Sequence, residues 1–375
     1  MKLLYISDYV SWWWAEIICN YNYKLFKEKS KIIYLEDFIS KNKILKLFSM
    51  FGFNIFLYLK LKKILKNYNP DIIHLHNYNL APITVLLAIK KCKNIQTVHA
   101  SWQICPSTWW VYRLNYKKCN LLPQFKKCMK NCFFDKPKIP WVIYYFIHRF
   151  IVKLRKKYIN YFIFPSQALK KWFELNWFKN LYHVKNPVIL DWIDNDNINW
   201  KENIILYVWK LIELKWVHLL VKALKELNLN NWKFIFIWDW PLKKALIKDT
   251  KNDKRFKFKW KINFKEVKNF YKKSKIVITP SIYFENQPWV IIEWLLYNNI
   301  IIWNKSWWIP ELLDKNLIIN LENKNIKTLK EKILKVIKNN DNYLKISLKC
   351  KKRLLWNNLD NYKKELNKIY KLILK

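Results

Sequence analysis

The chain has 375 residues, a length that suits two α/β domains better than one. Hydrophobic residues make up 52%, enough for two cores, but a single glycine stands against 23 tryptophans; average usage of about 7% would put roughly 26 glycines in such a chain. The formal charge of +43 comes from lysines spread over the whole length among Asn and Ile, a pattern of low-GC coding and solvated surface that carries little functional weight by itself.

In chain order, residues 2–6 form a buried first strand, followed by the loop 7–14 and a helix from Ala15. Further strands fall at 31–35, at 71–75 behind the helix-stopping Asn69-Pro70, at 95–99 and at 161–165. A second series begins after Asn186-Pro187, with strands at 203–208, 233–237, 256–258, 276–279 and 300–302, and helical stretches such as 217–227 and 291–297. The end, 344–375, is helical and Lys-rich. Short apolar strands alternating with helices predict an α/β protein of two doubly wound domains with a cleft between them. The expected boundaries are 1–186, 187–345 and a C-terminal helical segment, 346–375.

No export signal is expected, because the start MKLLYISDYV is a strand with an acid in it. No apolar run reaches the ~18 residues that span a bilayer; the best stretch, 141–154, is broken by His148, Arg149 and Lys153. Seven cysteines without an export signal indicate a reducing, cytoplasmic location.

Five segments carry a more specific signal. They are Trp12-Trp13-Trp14-Ala15-Glu16; Val208-Trp209-Lys210-Leu211 with Lys215-Trp216-Val217; Trp238-Asp239-Trp240-Pro241; Glu285-Asn286-Gln287-Pro288-Trp289 with Glu293; and Trp307-Trp308-Ile309-Pro310-Glu311. Once Trp stands for Gly, these resemble, in order, the Gly-Gly-Ala-Glu loop, the Gly-Arg-Leu and Lys-Gly-Val signature, Gly-Asp-Gly-Pro, the paired-Glu motif and Gly-Gly-Ile-Pro-Glu of the family-4 glycosyltransferases. That family is retaining, uses nucleotide sugars and has the two-domain GT-B fold. Any one segment is a weak match; five in order through nearly the whole chain are highly specific.

The economical explanation is decoding. Some bacterial lineages read UGA as glycine, whereas a common alternative table reads it as tryptophan, so most of the 23 Trp are expected to be glycine in the natural protein. Trp102 stands where relatives often carry an aromatic and is a candidate for a genuine Trp.

The resemblance implies the chemistry of the site. A glycine-rich turn opening a helix offers backbone N–H groups and the positive helix end to phosphate, which places Trp13 and Trp14 among the donor-binding positions. Lys210 and Lys215 are the cationic partners of the leaving diphosphate; Lys210 replaces the more usual Arg, keeping the charge but losing the bidentate fork. In a chain with 70 basic residues the plain reading of any one lysine is solvated surface, so here the motif carries the assignment. Glu285 lies by the donor sugar and Glu293 bonds the ribose, with Asn286, Gln287, Trp289 and Val290 bringing backbone N–H groups to sugar or phosphate oxygens. The plain reading of Glu293 is a carboxylate favoured by a helix N-terminus. His99 resembles the sugar-contacting histidine, although a lone histidine is more often structural. His74 and His76, alternating on a strand, are expected to be architecture.

Two features compete with this picture. Asp194-Asn195-Asp196 spells the D-x-D of metal-dependent transferases of another fold, but it sits in a polar linker where no catalytic metal is expected. Cys105, Cys119, Cys128 and Cys132 could hold a structural zinc, although tight C-x2-C pairs are absent; no other cofactor is required. The expected activity is transfer of a sugar from a nucleotide-diphosphate donor to a glycan or lipid-linked acceptor, with peripheral contact at the inner membrane surface and no nucleic acid. A nucleotide-sugar epimerase or hydrolase on the same fold is the first alternative. A basic protein stacking nucleic-acid bases on its Trp residues is the second.

Overall fold

The computed structural model describes residues 1–10, 14–39, 46, 49, 52–107, 119, 123–135, 138–189, 201–209, 211, 215–237, 242–260, 262–281, 288–305, 309–321 and 325–375. The chain divides into two compact units, Met1–Asn186 with Leu359–Lys375, and Pro187–Asn358.

In the first unit six strands run in the order β2-β1-β3-β4-β5-β6, with every ladder parallel: β1 (Leu3–Ser7), β2 (Ser30–Tyr34), β3 (Ile72–Leu75), β4 (Asn94–Thr97), β5 (Tyr161–Phe164) and β6 (Leu181–His183). β1, β3 and β4 are buried along their whole length, as strands covered on both faces must be. The helices are α1 (Trp14–Leu25), α2 (Ile55–Tyr68), α3 (Pro82–Ile89), α4 (Phe125–Cys132), α5 (Lys138–Tyr158) and α6 (Gln167–Leu175). Their ends follow local chemistry. Asn54 caps α2 by accepting from the Leu57 N–H at 3.0 Å, and Asn69, in the left-handed region at φ 47°, stops it before Pro70.

The second unit repeats the plan in the order β12-β11-β10-β7-β8-β9, again all parallel. Its strands are β7 (Glu202–Val208), β8 (Lys233–Ile237), β9 (Phe256–Lys259), β10 (Ser274–Thr279), β11 (Ile300–Asn304) and β12 (Ile318–Ile319). Its helices are α7 (Val217–Lys225), α8 (Lys243–Thr250), α9 (Phe264–Lys273), α10 (Trp289–Leu296), α11 (Ile309–Leu312), α12 (Ile326–Lys338) and α13 (Asn340–Leu355). Together the two sheets make the α/β, GT-B arrangement that the sequence implies.

The chain then returns to the first unit as α14 (Leu359–Leu374), which packs on β3 and buries Tyr362, Leu366, Ile369, Tyr370 and Ile373. The expected start of the C-terminal helical segment, residue 346, falls inside α13, which stays with the second unit. The helical end is broken at 356–358, where the Asn357 carbonyl accepts from the Val188 N–H at 2.9 Å.

Candidate functional site

In a doubly wound sheet, ligands bind beyond the carboxyl ends of the strands, where the winding reverses. In the second unit that point lies between β7 and β10, because β8 and β9 continue to one side and β11 and β12 to the other. Of the predicted donor-binding positions that are described in this unit, Lys215 follows β7, and Trp289, Val290 and Glu293 lie on α10, the helix that follows β10. Open hollows of 560 Å³ and 420 Å³ lie at the opposite, amino-terminal edge, lined among others by Arg255 and Lys233, and contain none of these positions.

Lys215 is buried, not solvated, and its Nζ lies 4.8 Å from the centre of the Trp209 ring. Trp209 meets Trp303 edge-on at 6.3 Å, and Trp303 in turn meets Trp294 at 5.6 Å. Indoles therefore fill the ground beside the one described motif lysine. Trp216 precedes α7 with φ 47° and ψ 31°, a left-handed conformation that costs a bulky side chain energy and glycine almost none. Trp289 opens α10 and is buried, with Val290 half-buried beside it. Glu293 accepts a hydrogen bond from the Tyr271 hydroxyl at 3.0 Å. Burial lifts its carboxyl to about 7, against the lowering influence of that bond and of Lys268.

In the first unit the reversal lies between β1 and β3. Asp8, just past β1, accepts from the backbone N–H groups of Asn79 at 2.7 Å and Leu80 at 3.0 Å, which ties the loop after β3 to the end of β1. Glu16 is fully buried on α1 and accepts from the Asn77 amide at 2.8 Å. His99, two residues beyond β4, is half-buried, and its Nε2 lies 2.9 Å from His76 Nδ1. Removal from water holds the imidazoles of His99 and His74 down to about 3, so both are neutral at physiological pH. His74 and His76 were expected to be architecture; the bond from His76 to His99 is the feature that the sequence reading missed. The signal was present in the i, i+2 spacing of 74/76 and 97/99 on adjacent strands.

Cys128 and Cys132 pack with Phe133 and Tyr145, against which Met129, Trp141 and Tyr144 also lie. Burial, and then the neighbouring thiols of Cys105, Cys132 and Cys119, push the Cys128 thiol up to about 12. Cys105 Sγ lies 3.3 Å from Ser107 Oγ. The four cysteines are thus neighbours, but among the described residues no group of three His, Cys, Asp or Glu could hold a metal ion. Trp13, Lys210, Glu285, Asn286 and Gln287 lie outside the described residues, as do Asp194, Asn195 and Asp196 and the side chain of Trp14.

Two family models match nearly end to end: Glycosyltransferase Family 4 over residues 27–191, and Glycosyl transferases group 1 over residues 189–353. The chain belongs to the glycosyltransferases of the GT-B fold that join these two domains. Among curated proteins none matches it by sequence. Its fold is similar to that of Anabaena HepE, solved in complex with UDP and glucose, at 13% identity over 98% of this chain and 99% of that one, with a TM-score of 0.69. A glycosyltransferase from Rickettsia africae is similar at 19% identity, over 100% and 98% of the two chains, with a TM-score of 0.65. The sucrose-phosphate synthase of Thermosynechococcus elongatus is similar at 11% identity, over 99% and 98%, with a TM-score of 0.66.

Proposed function

We propose that the chain transfers a sugar from a nucleoside-diphosphate donor to a glycan or lipid-linked acceptor, with retention of anomeric configuration and without a catalytic metal. What supports this reading is that Lys215 follows β7 and that Trp289, Val290 and Glu293 stand on α10, the helix after β10, these being the two strands that flank the reversal point of the second sheet. There Lys210 and Lys215 neutralise charge on the departing diphosphate, Glu293 binds the ribose, and Glu285 with backbone N–H groups of residues 286–290 holds the sugar. His99 is a sugar contact, and loops of the first unit select the acceptor. Stabilising charge as it develops on the leaving group is the main electrostatic lever available to such a site. Assay of a panel of nucleotide sugars with glycan acceptors tests the proposal; isomerisation or hydrolysis of the donor without transfer favours the alternative.

The same proposal includes glycine at most tryptophan positions. Support comes from backbone geometry. Among the described residues, Trp177 and Trp216 are the two tryptophans at positive φ, beside three asparagines. Trp177 follows α6 at φ 54°, and the Phe178 N–H bonds back to the Phe173 carbonyl at 3.1 Å, the closing bond of a helix end that glycine favours. Trp102, by contrast, lies with its ring 5.8 Å from the Arg155 guanidinium, a contact that uses an indole. Intact-mass measurement of the native protein should give a value well below 46.5 kDa; a match to that mass overturns the decoding proposal.

Peripheral contact with an anionic membrane is proposed for α5. Ile139, Ile143, Phe146 and Phe150 are exposed at the four-three-four spacing of one helical stripe, and Lys153 and Lys157 are exposed in the next turns. Among the described residues, no helix is long and apolar enough to cross a membrane. Co-sedimentation with phosphatidylglycerol vesicles should fall at least severalfold in a Phe146→Ser, Phe150→Ser variant. Equal binding by variant and parent contradicts this contact.

A further inference from the structure

Arg155, on α5, is 1% exposed and lies among three other buried polar side chains. They are Tyr78 in the loop after β3, Gln96 on β4, and Gln103 at the end of the short turn Ser101–Gln103. Arg155 Nε donates to the Tyr78 hydroxyl at 2.7 Å, and Nη1 to the Gln103 carbonyl at 2.5 Å. The Tyr78 hydroxyl gives its own proton to Gln96 Oε1 at 2.9 Å, and Gln96 Nε2 donates to Gln103 Oε1 at 2.6 Å. The rings of Tyr78 and Trp102 lie 5.4 Å and 5.8 Å from the guanidinium carbon. Four segments of the first unit are thus tied together at one buried charge.

What is left over is all of one kind. Arg155 Nη2 and Gln103 Nε2 are buried donors from which no group of the protein accepts. A guanidinium has donors on all three nitrogens and no acceptor, and it keeps its charge inside a protein. Among the described residues, the buried carboxylates of this unit are engaged elsewhere. Asp8 accepts from the Asn79 and Leu80 N–H groups, and Glu16 from the Asn77 amide. Amide orientation is an assignment, but turning Gln96 or Gln103 over only exchanges a donor for an acceptor inside the cluster. The excess of donor hydrogens and the positive charge are unchanged. Burying a charge is costly unless an opposite charge meets it. Water takes up the hydrogens, not the charge.

We propose that a small monovalent anion of the chloride class is bound at this cluster, accepting from Arg155 Nη2 and Gln103 Nε2. It steadies the carboxyl edge of the first sheet, because Tyr78 belongs to the loop after β3 and Gln103 to the segment after β4 that carries His99.

Crystals of the full chain grown with bromide in place of chloride test the site directly. The expected result is an anomalous peak within hydrogen-bond distance of both Arg155 Nη2 and Gln103 Nε2. The solution arm follows thermal unfolding while chloride replaces gluconate at constant ionic strength. At about tenfold excess over its dissociation constant, chloride should raise the unfolding temperature of the wild type by roughly 3–5 °C. Gln103→Glu supplies the negative charge from the chain itself. It should unfold at a temperature that chloride does not change, no lower than that of the wild type in gluconate, and bind no bromide there. A water at this place, or no density, overturns the proposal, and so does equal unfolding of the wild type in the two salts. Bromide in the crystal without a chloride effect in solution is an adventitious ion only, and overturns it as well. A chloride effect as large in Gln103→Glu as in the wild type places the stabilising anion elsewhere. If that variant does not fold, the two wild-type measurements decide.

Discussion

At the scale of single residues, Glu293 shows how one environment gives two opposite pH trends. Its carboxyl ionises near about 7 because it is withdrawn from water. A ribose hydroxyl pair donates to a carboxylate but not equally to a carboxylic acid, so nucleotide affinity should weaken as pH falls below about 7. The loss is up to about tenfold per pH unit. Stability moves the other way. A folded pKa above the unfolded value of 4.5 contributes stability that is fully present below 4.5 and is lost as pH rises through about 7. Isothermal titration with a nucleoside diphosphate between pH 5.5 and 8 checks the first trend, and Glu293→Gln should flatten it. An equally steep profile in that variant would remove Glu293 from the nucleotide.

At the scale of elements, the helix ends separate what a tryptophan costs from what it contributes. Trp177 and Trp216 both occupy the left-handed region, a strain of roughly 1–2 kcal/mol for a residue with a Cβ. Trp177 is 80% exposed, so its indole contributes little packing and strain dominates. In the sequence as written, Trp177→Gly should therefore stabilise the first unit by about 1 kcal/mol in chemical denaturation. Trp216 is only 6% exposed; there the void left by the indole offsets the relief of strain, and a single Trp216→Gly change should gain less or lose. A destabilised Trp177→Gly would mean that the residue is suited to its turn.

Element by element, ten strands were legible, most of them as short apolar runs bounded by turn residues or helices. β6 and β12 were not, being edge strands of three and two residues without a run of their own. The break between α13 and α14 was hidden by Trp356, which precedes Asn357 and Asn358 where a glycine would have signalled a helix stop. In the site, motif spacing pointed to Lys215, which is buried after β7, and to Glu293, which is buried on α10 against Tyr271. The coupling of His76 to His99 was legible only as alternation, since nothing local says that α1 and α14 cover that face. Burial of Lys215 was likewise invisible in a chain so rich in lysine.

At the scale of the whole molecule, both units have the same construction, a six-stranded parallel sheet that reverses direction once, and their family models join at residues 189–191. What such a molecule does is decided by the loops at two sheet edges, and those loops hold many of the tryptophans. The proposed function is that of a retaining transferase in which these edges bind a nucleotide sugar. Its most direct test is product analysis by proton NMR, with the native protein, a panel of nucleotide sugars, glycan and lipid-linked acceptors, and a chelator present. The account predicts a new glycosidic bond with the anomeric configuration of the donor, one nucleoside diphosphate released per sugar transferred, and no loss of rate to the chelator. A product of inverted configuration, or donor consumed with no bond formed to any acceptor, would contradict it.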